Sequence, residues 1–215
     1  MHIQFLIEDH SGEVLICKVM EKLACDSVTC DYKSFKGIGG FKEKGKATDI
    51  KTNKLLTDLE GYLKGFDKYF RDYDACIFII LDNDTRKTTE FRNELEEKAQ
   101  SWGISTECVF CIAVEEMEAW LLGDEQALIT AYPNAKMAKY REYVQDSICG
   151  TWEYLADIIF DGGLKNFKKQ CPTYRERGKY KAEWAEKIGA VMDLNNNKSP
   201  SFRYMITNLR RVMKL

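Results

Sequence analysis

Ala75-Cys76-Ile77-Phe78-Ile79-Ile80-Leu81 is apolar at every position and stops abruptly at Asp82-Asn83-Asp84. A strand with no polar alternation is buried on both faces, as in the centre of a parallel sheet covered by helices on each side. Outward from it the same unit recurs. Ile3-Gln4-Phe5-Leu6-Ile7 ends on Glu8-Asp9, and Ser11 then precedes Val14, Leu15, Val19 and Leu23 on one helical face. Val28, Cys30 and Tyr32 alternate as a second strand, and Leu55, Leu56, Leu59, Leu63 and Phe66 mark the next helix. A charged helix around Phe91 and Leu95 leads to a fourth strand, Cys108 to Val114, and then to a helix from Glu115 to Leu122 with acids at its positive end.

This alternation predicts an α/β fold with a mostly parallel, Rossmann-like sheet flanked by helices, over residues 1–125. Beyond Asp124 the pattern changes. Tyr140–Val144, Trp152–Ile159, Trp184–Met192 and Phe202–Met213 read as short helices separated by Pro133, Gly150, Gly162-Gly163 and the Asn195–Pro200 turn, so residues 126–215 form a helical extension. Trp120, Trp152 and Trp184 are expected in packing roles.

The 215 residues are 45% hydrophobic with a net charge of −2, enough for a sizeable core. The charge is divided unevenly. Residues 1–125 hold 16 Lys/Arg against 25 Asp/Glu, whereas residues 126–215 hold 16 against 9, making the extension basic and attractive to a polyanion. No apolar run reaches the length of a membrane span, and the start lacks a signal-peptide pattern, so the expectation is a soluble, cytoplasmic protein without a membrane partner. The eight cysteines are then expected as reduced thiols; Cys108-x-x-Cys111 has zinc-like spacing but sits in a strand without a second pair or a nearby His.

Acids collect where strands end: Glu8 and Asp9, then Asp82 and Asp84, then Glu115, Glu116 and Glu118. In an open parallel sheet those carboxyl ends share one edge, where ligands bind. Two carboxylates about 4 Å apart repel by about 4 kcal/mol at an effective dielectric near 20, so the cluster calls for protons, a lysine or a cation. A divalent ion with hard oxygen ligands, Mg²⁺ or Mn²⁺, is the economical answer, and such ions recruit substrate phosphates. Taken singly, each acid could instead cap a helix or complement its dipole, as Asp84 could for the helix that follows it.

These residues carry a resemblance. Ile7-Glu8-Asp9 after the first strand with Asp82-Asn83-Asp84 after the third resembles the Glu and Asp-x-Asp signature of TOPRIM domains. Val114-Glu115-Glu116-Met117-Glu118-Ala119-Trp120-Leu121-Leu122-Gly123-Asp124 resembles a segment of small TOPRIM-like bacterial proteins grouped with ATPase-linked, OLD-type phage-defence nucleases. Lys181-Ala182-Glu183-Trp184-Ala185 and Ser199-Pro200-Ser201-Phe202 resemble the helical tails of that group.

The resemblance implies a TOPRIM-like catalytic domain over 1–125 and a Mg²⁺-dependent nuclease that hydrolyses phosphodiesters in DNA or RNA, as a phage-defence effector. Glu8, Asp82 and Asp84 would hold the metal, Glu8 doubling as a general base, with Glu116 and Glu118 completing the catalytic set. OLD-type nucleases often carry a second Glu four residues after the first; Glu13, five away, is the nearest counterpart as a ligand. Asp9 and Arg86 stand where TOPRIM domains usually have glycine. A catalytically weak nucleic-acid-binding or regulatory subunit working with a partner ATPase is the alternative.

Lys165 to Lys181 contains seven Lys/Arg and one acid, with Phe167, Tyr174 and Tyr180 interleaved. That composition can neutralise a phosphate backbone and stack on unpaired bases, making Lys165, Lys168, Lys169, Arg175, Arg177, Lys179 and Lys181 the candidate nucleic-acid contacts. Lys179 or Lys181 could instead reach the acids. In the glycine-rich basic loop 36–46, Gly40-Phe41-Lys42-Glu43-Lys44-Gly45-Lys46-Ala47 approaches a phosphate-binding P-loop, with Ala47 where a hydroxyl is needed.

Overall fold

The computed structural model describes residues 1–41, 53–147 and 150–215. Most of the P-loop-like segment therefore lies outside the described residues. The element order is β1 His2–Ile7, α1 His10–Leu23, β2 Thr29–Ser34, α2 Leu55–Tyr69, β3 Ala75–Asp82, α3 Thr88–Ser101 and β4 Glu107–Ala113. Helices follow as α4 Glu118–Leu122, α5 Glu125–Ala131, α6 Met137–Tyr140, α7 Thr151–Ile159, α8 Gly163–Gln170, α9 Tyr174–Val191 and α10 Pro200–Met213.

The four strands form one all-parallel sheet in the order β2-β1-β3-β4, with Ile7 opposite Ile80 and Ile80 opposite Cys111. The uniformly apolar β3 is central, as its sequence requires. Each face has its own core. On one, Leu6, Ile77, Ile79, Leu81, Phe110 and Ile112 pack against Leu59 and Leu63 of α2 and Phe91 and Leu95 of α3. On the other, Phe5, Phe78 and Cys111 meet Leu15 and Ile16 of α1. Cys108 and Cys111 consequently face opposite sides of β4 and cannot share an ion.

Trp120 of α4, Trp184 and Ile188 of α9 and Phe202 of α10 belong to the same core as β1 and α1. The change near residue 125 is thus one of element type, and the core runs through it. Asn197 seals the join. Its side-chain amide donates to the Trp120 carbonyl at 2.8 Å, its carbonyl accepts from the Ser199 backbone at 2.8 Å, and the Lys198 N–H reaches the Gly123 carbonyl at 2.8 Å. A side chain at Gly123 would collide with the Asn197 amide. Gly123→Ala is therefore expected to cost about 1–3 kcal/mol through overpacking, read as a lower urea midpoint at unchanged slope.

Boundaries shift where local geometry overrides periodicity. Glu115 adopts φ +69, a tight turn that delays α4 until Glu118. The helix expected over Tyr140–Val144 instead ends at Tyr140, and α9 begins ten residues before Trp184, at a Thr173–Glu176 capping box. Among the described residues no helix is long and apolar enough to cross a membrane, and all seven described cysteines are free.

Candidate functional site

In a 2-1-3-4 parallel sheet the chain leaves β1 toward one side and β3 continues on the other. The crevice between the carboxyl ends of β1 and β3 is therefore the topological switch point where α/β sheets bind ligands. Glu8 and Asp82 stand there. The Asp82 N–H donates to Glu8 Oε2 at 2.9 Å, and the Met117 N–H donates to Asp82 Oδ1 at 2.9 Å. One carboxylate oxygen of each is thus fixed by backbone. Between them, also lined by Asp9, Gly12 and Met117, lies a cavity of about 10 Å³, the size of one water.

Asp9 caps α1, accepting from the Gly12 N–H and the Ser11 hydroxyl, each at 2.8 Å. A glycine there would lack the carboxylate that accepts these two hydrogen bonds. From the far side comes a buried ion pair. Glu118 is fully buried, and Lys181 Nζ lies 3.2 Å from its Oε1, though neither Glu118 oxygen receives a hydrogen bond of good geometry.

The electrostatics follow from burial. Desolvation raises Glu8 to about 7, against the lowering by the Asp82 N–H; Asp9 and Asp84 push it further up and Lys181 pulls it down. Burial also takes Asp82 well above its ordinary value, reinforced by Glu8 and opposed by Lys181. Glu118 reaches about 7 through burial, against the pull of Lys181. Burial would lower Lys181, but Glu118, Asp9, Asp82 and Glu116 together outweigh it and hold the ammonium charged. The positive charge that the clustered acids require is thus supplied, in part, by a lysine of the extension.

The other candidates divide. Asp84 lies on the solvent side at φ +50, its N–H on the Glu115 carbonyl and its carboxylate 3.2 Å from Arg86, close enough to act on Glu8. Glu116 is tied to the start of α7, accepting from the Thr151 hydroxyl and the Trp152 N–H at 3.1 Å each. Glu13 is not a wall of the crevice; it sits one turn along α1, 3.8 Å from His10. Among the described residues no group of three His, Cys, Asp or Glu side chains is arranged to hold a metal; the converging pair is Glu8 with Asp82.

The basic candidates also need sorting. Lys181 is a partner of the acids and not a surface contact. Lys168 pairs with Glu153 at 3.8 Å and lies over the Trp152 ring, and Arg177 donates to the Cys171 and Pro172 carbonyls. No ion pair engages Lys165, Lys169, Arg175 or Lys179 among the described residues. Phe167 is fully buried, and Tyr180 packs edge-on against Phe160 and Phe167, so neither is a stacking surface. Tyr174 alone of the three is open, at 90% exposed.

Sequence reasoning missed Glu153, whose Oε2 is buried without a hydrogen bond and which burial raises, with Glu116 adding to the shift. The place of Lys181 had a readable signal: Trp184, Ala185 and Ile188 form an apolar stripe, and Lys181 occupies its next position one turn earlier.

Neither a curated protein nor a solved structure matches the chain. Residues 6–210 match the family described as a domain of unknown function, DUF4276. With nearly its whole length inside that match, the chain belongs to the DUF4276 family.

Proposed function

We propose that the protein is a TOPRIM-like, Mg²⁺- or Mn²⁺-dependent nuclease acting on DNA or RNA. The observation that carries this reading is the meeting of Glu8 and Asp82 at the switch point of the sheet. The donor set suits such an ion: hard carboxylate oxygens of Glu8 and Asp82, one on each fixed by a backbone N–H and the other left free. Mg²⁺ commonly takes one or two protein carboxylates and fills its shell with water and phosphate, so a converging pair suffices. Glu8 and Asp82 would hold it, with Asp84 on the solvent side. The bound ion supplies Lewis acidity at a phosphodiester oxygen and lowers the pKa of its water.

The protein's own groups do the rest. Met117 N–H and Asp82 N–H fix the two carboxylates, so their free oxygens are preorganised. The carboxylate oxygen of Glu8 that the backbone leaves free would accept a proton from an attacking water. Lys181 offsets negative charge beside a phosphate. Lys165 and Lys169 of α8 and Arg175 and Lys179 of α9, which no ion pair engages among the described residues, favour a polyanion.

Lys181 among the acids also favours a second reading, in which the pocket is neutralised without metal and the chain is a binding or regulatory subunit of a partner ATPase. One assay separates them. Plasmid, single-stranded DNA and RNA are incubated with the protein, with and without Mg²⁺ or Mn²⁺, beside Asp82→Ala/Asp84→Ala. Metal-dependent cleavage reduced by at least about a hundredfold in that variant is expected; no cleavage of any substrate leaves the subunit reading.

A further inference from the structure

Tyr174, Gly178 and Lys181 fall on one stripe of α9, since seven residues make two turns less about 20° and span about 10 Å. The stripe passes from open solvent at Tyr174 to the acids at Lys181. Between them Gly178 leaves the helix bare: a Cβ there would meet nothing within 4 Å. No steric demand calls for glycine inside this helix, where it is less favourable than alanine. What its bare backbone offers is room for something to lie across the helix.

The flank of this stripe is cationic and aromatic. The Arg177 guanidinium lies 5.7 Å from the ring centres of both Tyr174 and Trp152, and Lys168 lies 5.6 Å from Trp152. The Trp152 backbone N–H in turn holds Glu116. Tyr174, Arg177, Trp152 and Glu116 are thus linked in series by these contacts. Cations alone would serve any polyanion, but a solvent-facing ring with a guanidinium beside it suits a base that is free to unstack.

Building on the nuclease reading, we infer that the substrate is a single strand that crosses α9 over Gly178, with an unpaired base stacked on Tyr174 and its backbone running past Arg177 toward Lys181. Within a duplex every base face except those of the two terminal pairs is covered by its neighbours, so the stripe discriminates by strandedness.

The test measures binding without any divalent ion, by fluorescence anisotropy, with a fluorescein-labelled oligonucleotide as DNA single strand, RNA single strand and blunt duplex. The wild-type chain should prefer the single strands. Tyr174→Ala should weaken them by about five- to a hundredfold and leave the duplex unchanged. Tyr174→Phe should retain affinity because it keeps the ring. Gly178→Leu should weaken single-strand binding through obstruction, whereas Gly178→Ala, which favours the helix, controls for folding. Equal or tighter duplex binding, or Tyr174→Ala matching wild type on single strands, overturns the inference. Single-strand binding without cleavage under any metal sustains it and removes the nuclease reading, whereas cleavage of duplex indifferent to Tyr174→Ala does the reverse.

Discussion

Lys181→Met should lower the thermal midpoint by roughly 6–20 °C near pH 8, the equivalent of about 3–5 kcal/mol in a chain of this size. Methionine retains most of the apolar stem, so the loss is chiefly that of charge. Glu118 is fully buried, and Lys181 is its one ion-pair partner among the described residues. Removing one partner of a buried pair leaves the other uncompensated in a low-dielectric site. Two controls isolate the cause. Because Glu118 already sits at about 7, at about pH 5 it can neutralise itself by taking a proton, and the deficit should shrink. The double variant Lys181→Met/Glu118→Gln should recover much of the loss at the higher pH. A single variant within about 1 kcal/mol of wild type near pH 8 would show that the pair carries little of the fold.

The second large effect couples pH to metal. Glu8, Glu115 and Glu118 are all raised from 4.5 to about 7, and Asp82 is raised too, with burial the leading cause in each. A carboxyl raised in the folded state keeps its proton after the unfolded chain has released it. Its stabilising contribution is therefore whole below about pH 4.5 and fades as the pH climbs through about 7. Stability should accordingly fall from about pH 5 to about pH 8 in the absence of divalent ions. Mg²⁺ should reverse the trend, since it binds the ionised carboxylates: about 2.7 kcal/mol at a hundred times its Kd. Differential scanning fluorimetry should show a Mg²⁺ shift of at least about 5 °C near pH 8 and almost none near pH 5, absent in Glu8→Gln/Asp82→Asn. An equal shift at both pH values, or one that survives in that variant, would argue against ion binding by these acids.

The legible part of this molecule is the part in which one residue's neighbours decide its role. Seven apolar residues, Ala75 to Leu81, that stop at Asp82 read as a central strand, and Glu8 inherits its position from the strand before it, so both acids could be placed at one sheet edge from the order of elements alone. Glu116 and Lys181 were harder. Whether Glu116 faces the crevice or the start of α7 depends on Thr151 and Trp152, more than thirty residues away. Whether Lys181 points to solvent depends on α9 lying against α1, a packing choice that periodicity within α9 hints at without naming its partner. Packing among α7, α8 and α9 buried Phe167 and half-buried Tyr180 against Phe160, although their spacing among lysines matched that of Tyr174. Glu13 fails for a local reason: five residues on from Glu8, it lies beyond the cap at Asp9 and turns toward His10.

The hydrophobic interior that continues from β1 through Trp120 to Trp184 and Phe202 has a consequence for how such a chain can be divided. A cut between sheet and tail would strip the acids of their lysine and bare the flank of α1 in the same stroke. Whatever loosens the tail is felt at Glu8 and Asp82 through the charge of Lys181.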